Sequence, residues 1–385
     1  MIRDRIAGML LGSMIGDALG GPVEFVEPDR VSEGQSVFRV WGPSDRLPHD
    51  IDAYADATRL LDYTIFRPEP EPYAHWEHDA PAGTLTDDTR QKAIVIRMLR
   101  DWRVGRADGP PSQTHLARAL LDIANDPLPG GETHRLSEEW LREYVLAARY
   151  VLGERDPTLA LPPQRIWGGL PTCVGQMMLP PLAGLFPGRP KDAYVLAHDI
   201  AFADNGVALD INAGFIAGLA AAMALDAGAP EDRSARVRAW DAIKASMLET
   251  DPFRYADVPW VERPLARCIK LAEELASSAD GRPKQLMTLL TDEMRPTTWW
   301  EADVVLVMAI ASVEMTDAHP VAAMRLAVEL GWDTDSTAQV VGAFVGAMWG
   351  ERVFPEALAG PVREGVQRAT GDTIEAWVRE IILAR

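Results

Sequence analysis

The chain has 385 residues, of which 57 are acidic and 38 basic, giving a formal net charge of −19. That length is enough to bury a large core, and so acidic a balance excludes electrostatic attraction to nucleic acid or to an anionic membrane. Cys173 and Cys268 are the only cysteines, too few for a disulfide framework or a thiolate zinc site, which fits a reducing cytoplasm.

At the N-terminus, MIRDR followed by IAGMLLGSMIG has the basic-then-apolar order of a signal peptide. Against that reading, Asp4 sits among the basic residues, Asp17 closes the apolar run, and Gly8, Gly12, Gly16 and Gly20 recur in helical register. The spacing predicts a helix over 3–20 that ends at Gly20-Gly21-Pro22 and presents Glu24 just beyond the turn. Proline and glycine gather over 21–83 and predict loops. Thr86, Asp87, Asp88 and Thr89 then stand where a helix over 88–102 begins.

Further helices are expected over 112–124 and over 137–153, the latter opened by Ser137 with acids in its first turn. The proline- and glycine-rich stretches 103–111 and 155–190 read as surface connections. No segment reaches the roughly 18 uncharged apolar residues of a membrane span except 206–226, and that one carries Asp210 and Asn212. Apolar spacing by three and four continues over 190–226, 233–249, 262–278, 300–316, 319–330 with Pro320 at its start, 336–350 and 371–384. Strand alternation is nearly absent, and the expectation is an all-α protein folded as one domain over 1–385.

Glycine costs about 1 kcal/mol relative to alanine inside a helix. The stripes Gly8/Gly12/Gly16/Gly20, Gly214/Gly218 and Gly342/Gly346/Gly350 therefore need an offsetting gain, and close approach between buried helix backbones supplies one.

Asp333, Thr334, Asp335 and Ser336 precede the last glycine-striped helix as Thr86 to Thr89 precede theirs. Each cluster alone is satisfied by helix capping. Together they carry more carboxylate and hydroxyl oxygen than two caps require. Four aspartates in one pocket would repel one another and resist desolvation unless divalent cations cancelled the charge, and hard oxygen donors suit Mg²⁺, Mn²⁺ or Ca²⁺ over zinc. No spacing typical of an EF-hand is present. Read locally, Asp17 is a helix-end hydrogen-bonding residue and Glu24 a loop acid within reach of a metal, a water or a leaving group.

The segments GMLLGSMIGDALGGPVEF, TDDT and GWDTDSTAQVVGAFVGAMWG, in this order and spanning nearly the whole chain, resemble the ADP-ribosylglycohydrolase family. The resemblance implies an all-α fold with two divalent cations, Mg²⁺ first and Mn²⁺ as the alternative, held by Thr86, Asp87, Asp88, Asp333, Asp335 and Ser336. Ser336 stands where the family usually has threonine. The implied reaction is hydrolysis of a glycosidic bond to ribose in an ADP-ribosylated protein or in an N-riboside or nucleotide-type small molecule. Glu24 and Asp88 are its proton-transfer candidates. A catalytically idle binding protein on the same fold is the competing reading.

The resemblance also places Asp17, Gly175, Gln176 and His198 near the substrate. The loop TCVGQMMLPPLAGL departs from the family, carrying Met178 at the apparent arginine position, which weakens the case for a diphosphate-bearing ligand. Trp41, Trp76, Trp167, Trp299 and Trp300 fall in loops or at helix boundaries, where one or more can stack on a base.

Overall fold

The structure is a computed structural model and describes residues 1–25, 45–55, 82–105, 109–125 and 141–385. Its longer helices are α1 Ile2–Gly20, α2 Asp87–Val104, α3 Gln113–Asn125, α4 Arg142–Val151, α5 Val174–Met178, α6 Pro190–Ile200, α7 Ala208–Ala222 and α8 Arg233–Glu249. They continue as α9 Pro264–Ala279, α10 Pro283–Met294, α11 Ala302–Met315, α12 Pro320–Glu329, α13 Thr334–Trp349, α14 Glu356–Thr370 and α15 Ile374–Ala384. No strand forms among the described residues; one isolated bridge joins Thr172 to Glu301. The expected all-α fold is the one observed.

Every residue of α13 is buried, as befits a helix apolar on all sides. It packs against α1, α7, α11 and α12. Against α1 it runs antiparallel with the two glycine stripes interlocked. A Cβ on Gly12 would overlap the Gly342 carbonyl, one on Gly8 the Gly346 carbonyl, and one on Gly16 the Ala338 carbonyl. Ser13 Oγ donates to Gln339 Oε1 across this contact at 2.8 Å. Glycine's cost to each helix is offset by contact that no side chain leaves room for.

Among the described residues, 2–23 form the one helix apolar and long enough by length and composition to cross a bilayer, whereas the helix inside 206–226 covers only Ala208–Ala222 and is too short. The charges at 3–5 and Asp17 hide this in a search for uncharged runs. Residues Ile6–Gly20 are all buried within the protein.

Several boundaries differ from the periodicity. The run 190–226 is two helices, because the chain turns at 201–207 and Gly206 takes φ +55°. The stretch 155–190 is not merely surface connection: Val174–Gln176 and Met178–Leu185 are buried, with Pro180 opening a short helical turn over Pro180–Ala183. Prolines at first-turn positions start α9, α10 and α12. Helix α10 and helix α14, which holds Pro361 internally, have no counterpart in the expected list. Ser137, Trp41 and Trp76 lie outside the described residues.

Candidate metal centre

The two oxygen-rich clusters meet. Ser336 Oγ donates to Asp88 Oδ1 at 3.4 Å, joining residues 248 positions apart. Helix α1 places both: its C-terminal end abuts the start of α13, where Thr334 Oγ1 donates to the Gly20 carbonyl at 2.8 Å. Asp17, one turn earlier, accepts from the backbone N–H of Thr86 at 2.9 Å and of Thr89 at 3.1 Å, and from the Thr89 hydroxyl. The Asp17 carboxylate thus holds the N-terminus of α2, with both oxygens engaged.

Thr86 caps α2, its hydroxyl accepting from Asp88 N at 3.2 Å, so the capping reading of this residue is met. Asp333 occupies the N-cap position of α13 but makes no side-chain capping bond. One oxygen each from Glu24, Asp333 and Asp335 lies within 4.8 Å of the others. Asp88, Asp333 and Asp335 are buried, while Asp87 and Glu24 are half-buried.

Burial pushes the Asp87 carboxyl above its ordinary value. Asp88 is pushed well above it by burial and by Asp87, Asp17 and Asp333, against the pull of Lys92. Asp335 rises well above it through burial and the charges of Asp88 and Asp333, and Asp333 rises to about 6, chiefly through burial. Asp88 Oδ2 and Gln91 Oε1 are buried acceptors with no hydrogen-bond partner among the described residues. Leaving such a group unmatched costs about 1–3 kcal/mol. Carboxylates that repel one another, together with acceptors that no described residue satisfies, form a donor set that fits hard divalent cations.

Four participants were not read from the sequence. Fully buried Lys92 donates to the Asp88 carbonyl at 3.0 Å; burial lowers its pKa while Asp88 opposes that. Its spacing of four from Asp88 on one helix face was a usable signal. Gln91 Nε2 donates to Asp87 Oδ2 at 2.9 Å. The Cys173 thiol lies 3.7 Å from Asp333 Oδ2 and 3.8 Å from Ser336 Oγ, and burial beside Asp333 raises its pKa well above the ordinary value. Asp204 accepts from Gly175 N at 3.1 Å, and burial lifts its carboxyl to about 7. It falls in a stretch whose apolar rhythm reads as continuous helix, so no signal marked it.

Gly175 and Gln176 lie beside this cluster on α5. Gln176 Nε2 donates to Asn212 Oδ1 and the Ala302 carbonyl, and its own carbonyl accepts from Gln339 at 3.1 Å. Gln339 in turn meets Ser13, so α1, α13 and α5 are tied in series. Met178 is buried and brings no charge. His198 lies elsewhere: it contacts Asp199, Tyr194, Phe253 and Tyr255, none of which touches the four aspartates among the described residues. Trp167 bonds Glu143 and Tyr144 on α4.

The chain is similar in structure to a solved "ADP-ribosylglycohydrolase-related protein complex", with 19% sequence identity and a TM-score of 0.53 over 99% of this chain and 97% of that one. At that identity the likeness is one of fold. A comparison with curated proteins gives no match. The sequence pattern described as ADP-ribosylglycohydrolase matches residues 1–385, end to end across the helices that carry both aspartate clusters. This chain belongs to the ADP-ribosylglycohydrolase family.

Proposed function

We propose that the protein is a divalent-metal-dependent hydrolase that cleaves a glycosidic bond to ribose. Family membership supports an ADP-ribosylglycohydrolase-type hydrolase. The observation that carries the metal reading is the meeting of Asp88 with Ser336 at 3.4 Å around a buried carboxylate oxygen, Asp88 Oδ2, that has no hydrogen-bond partner among the described residues. Asp87, Asp88, Asp333 and Asp335, with the hydroxyls of Thr86 and Ser336, would hold two cations, Mg²⁺ or Mn²⁺. When bound, the pair supplies charge neutralisation and Lewis acidity toward ribose hydroxyls and the attacking water.

The chain's own residues do the rest. Cleavage at the anomeric carbon builds positive charge on the ribose ring, which nearby carboxylates stabilise. Glu24, half-buried and grouped with Asp333 and Asp335, sits where a proton can pass to a departing group or from the incoming water. Asp88 is enclosed more deeply and serves in holding the cations rather than in exchanging protons with solvent. Asp17 positions the Thr86–Thr89 turn. The substrate is an ADP-ribosylated protein or a smaller riboside, and two buried, unpaired cysteines support a cytoplasmic setting.

Calorimetric titration with Mn²⁺ and Mg²⁺, run beside hydrolysis assays on ADP-ribosylated peptides and free ribosides, tests this reading. Two ions bound, a raised Tm and metal-dependent release of ribose product are expected. A wild-type protein that binds neither ion would overturn the metal centre. Tight binding with no turnover on any riboside would mark an idle scaffold.

A further inference from the structure

Aromatic rings gather on the segments that carry the acids. Phe25 follows Glu24, Trp332 precedes Asp333, and Trp300 offers its carbonyl to Cys173 N at 2.9 Å, the same Cys173 whose thiol meets Asp333. Trp299 and Trp332 stack face to face, with centroids 4.4 Å apart and planes 5° from parallel. Phe25 meets Trp300 edge-on at 5.6 Å and 77°. Phe25 N donates to the Trp332 carbonyl at 2.6 Å, which locks the two acid-bearing segments together. All four rings remain partly exposed, although Trp299 and Trp300 also pack against the core.

Two backbone conformations single out these residues. Phe25 has φ +56° and Trp332 φ +65°, a region that bulky residues rarely occupy. At 332 a glycine would hold the same turn without strain, and Gly331 beside it does so at φ +77°. A tryptophan is kept where glycine would sit more easily, which points to the ring. Its indole Nε1–H is buried without an acceptor among the described residues.

Resting on the hydrolase reading above, we propose that Trp332, backed by Trp299 and flanked by Trp300 and Phe25, is the specificity-determining wall for the group attached to ribose. It selects planar heteroaromatic groups over aliphatic side chains. Stacking supplies affinity for any flat base and much less for an aliphatic chain.

Calorimetry on Mn²⁺-loaded protein with nicotinamide and hypoxanthine, and with L-arginine as the aliphatic comparison, tests this. Wild type is expected to bind the bases at least about tenfold more tightly than arginine. Trp332→Gly should lose that preference while keeping its Tm and Mn²⁺ binding, and Trp332→Phe should retain part of it through stacking. A wall that merely supports the fold would lower Tm in Trp332→Gly and leave the preference intact. Bases bound no better than arginine by wild type, or equal discrimination by Trp332→Gly, overturns the proposal. Failure of wild type to bind Mn²⁺ overturns the metal reading instead, and the same three proteins are then compared metal-free.

Discussion

Gly20 touches the backbone of Asp335: a Cβ on Gly20 would overlap the Asp335 nitrogen and Cα. The last glycine of the α1 stripe is therefore a packing residue and a determinant of where a candidate ligand sits. Gly12→Ala, deeper in the same interface, should cost about 1–3 kcal/mol of stability through overpacking and leave Mn²⁺ affinity nearly intact in the folded protein. Gly20→Ala should cost a similar amount and also weaken Mn²⁺ binding, because the start of α13 must shift. Thermal unfolding paired with Mn²⁺ titration separates the two, and wild-type affinity in Gly20→Ala would contradict the coupling.

Asp333→Asn and Asp335→Asn should act in opposite directions on stability with and without metal. Without it, each removes a buried charge facing other carboxylates, and stability at pH 8 should rise by on the order of 1–3 kcal/mol. With it, the stabilisation by Mn²⁺ should vanish. Turnover should fall by more than the roughly 10–100-fold typical of residues one step outside a metal's ligands. Denaturant melts with EDTA and with Mn²⁺ give the first pair of numbers, and a variant destabilised in EDTA would be the contrary result.

The pH dependence of the metal-free protein follows from raised carboxyls. Asp333 at about 6 and Asp204 at about 7 stand above the ordinary 3.8, so the folded state binds more protons than the unfolded one between those limits. Stability should fall as pH rises from about 4 to 7. Mn²⁺ affinity should climb over the same window, since protons and cations compete for the Asp333 carboxylate. Asp204→Asn, keeping an acceptor for Gly175 N, should flatten the upper part of the slope. Urea melts in EDTA at half-unit steps measure both, and a stability that rises through this range would show the carboxyls to be ionised without cost.

Asp17→Asn tests the cap on α2. An amide keeps an acceptor oxygen but can no longer receive all three hydrogen bonds from Thr86 and Thr89. A loss of about 1–3 kcal/mol is expected, with weaker Mn²⁺ binding as Asp87 and Asp88 lose their fixed start. Unchanged metal affinity in a destabilised variant would confine Asp17 to stability alone.

Local rules carried the sequence reading where structure is local. Helix starts at Thr86 and Pro320 follow from capping chemistry and proline's fixed φ, and glycines at intervals of four announced close packing. What the glycines packed against was not legible, because the Gly12–Gly342 contact depends on the whole fold. Apolar rhythm ran straight through 201–207, since Ala and Phe there suit a helix as well as a bend, and Asp204 was hidden with it. Pro361 masked α14 by its ordinary meaning as a breaker. His198, placed by resemblance, sits instead in an aromatic group with Tyr194 and Phe253.

The pairing of α1 with α13 also sets an order of events on the ribosome. Ser13 and its partner Gln339 are separated by 326 residues. At about 5–20 residues per second, the first helix emerges tens of seconds before the surface that covers it has been translated. A nascent chain with an apolar, glycine-lined segment waiting that long is a natural client for a holdase chaperone. Depletion of such chaperones should reduce its soluble yield far more than that of a protein whose first helix pairs with the second.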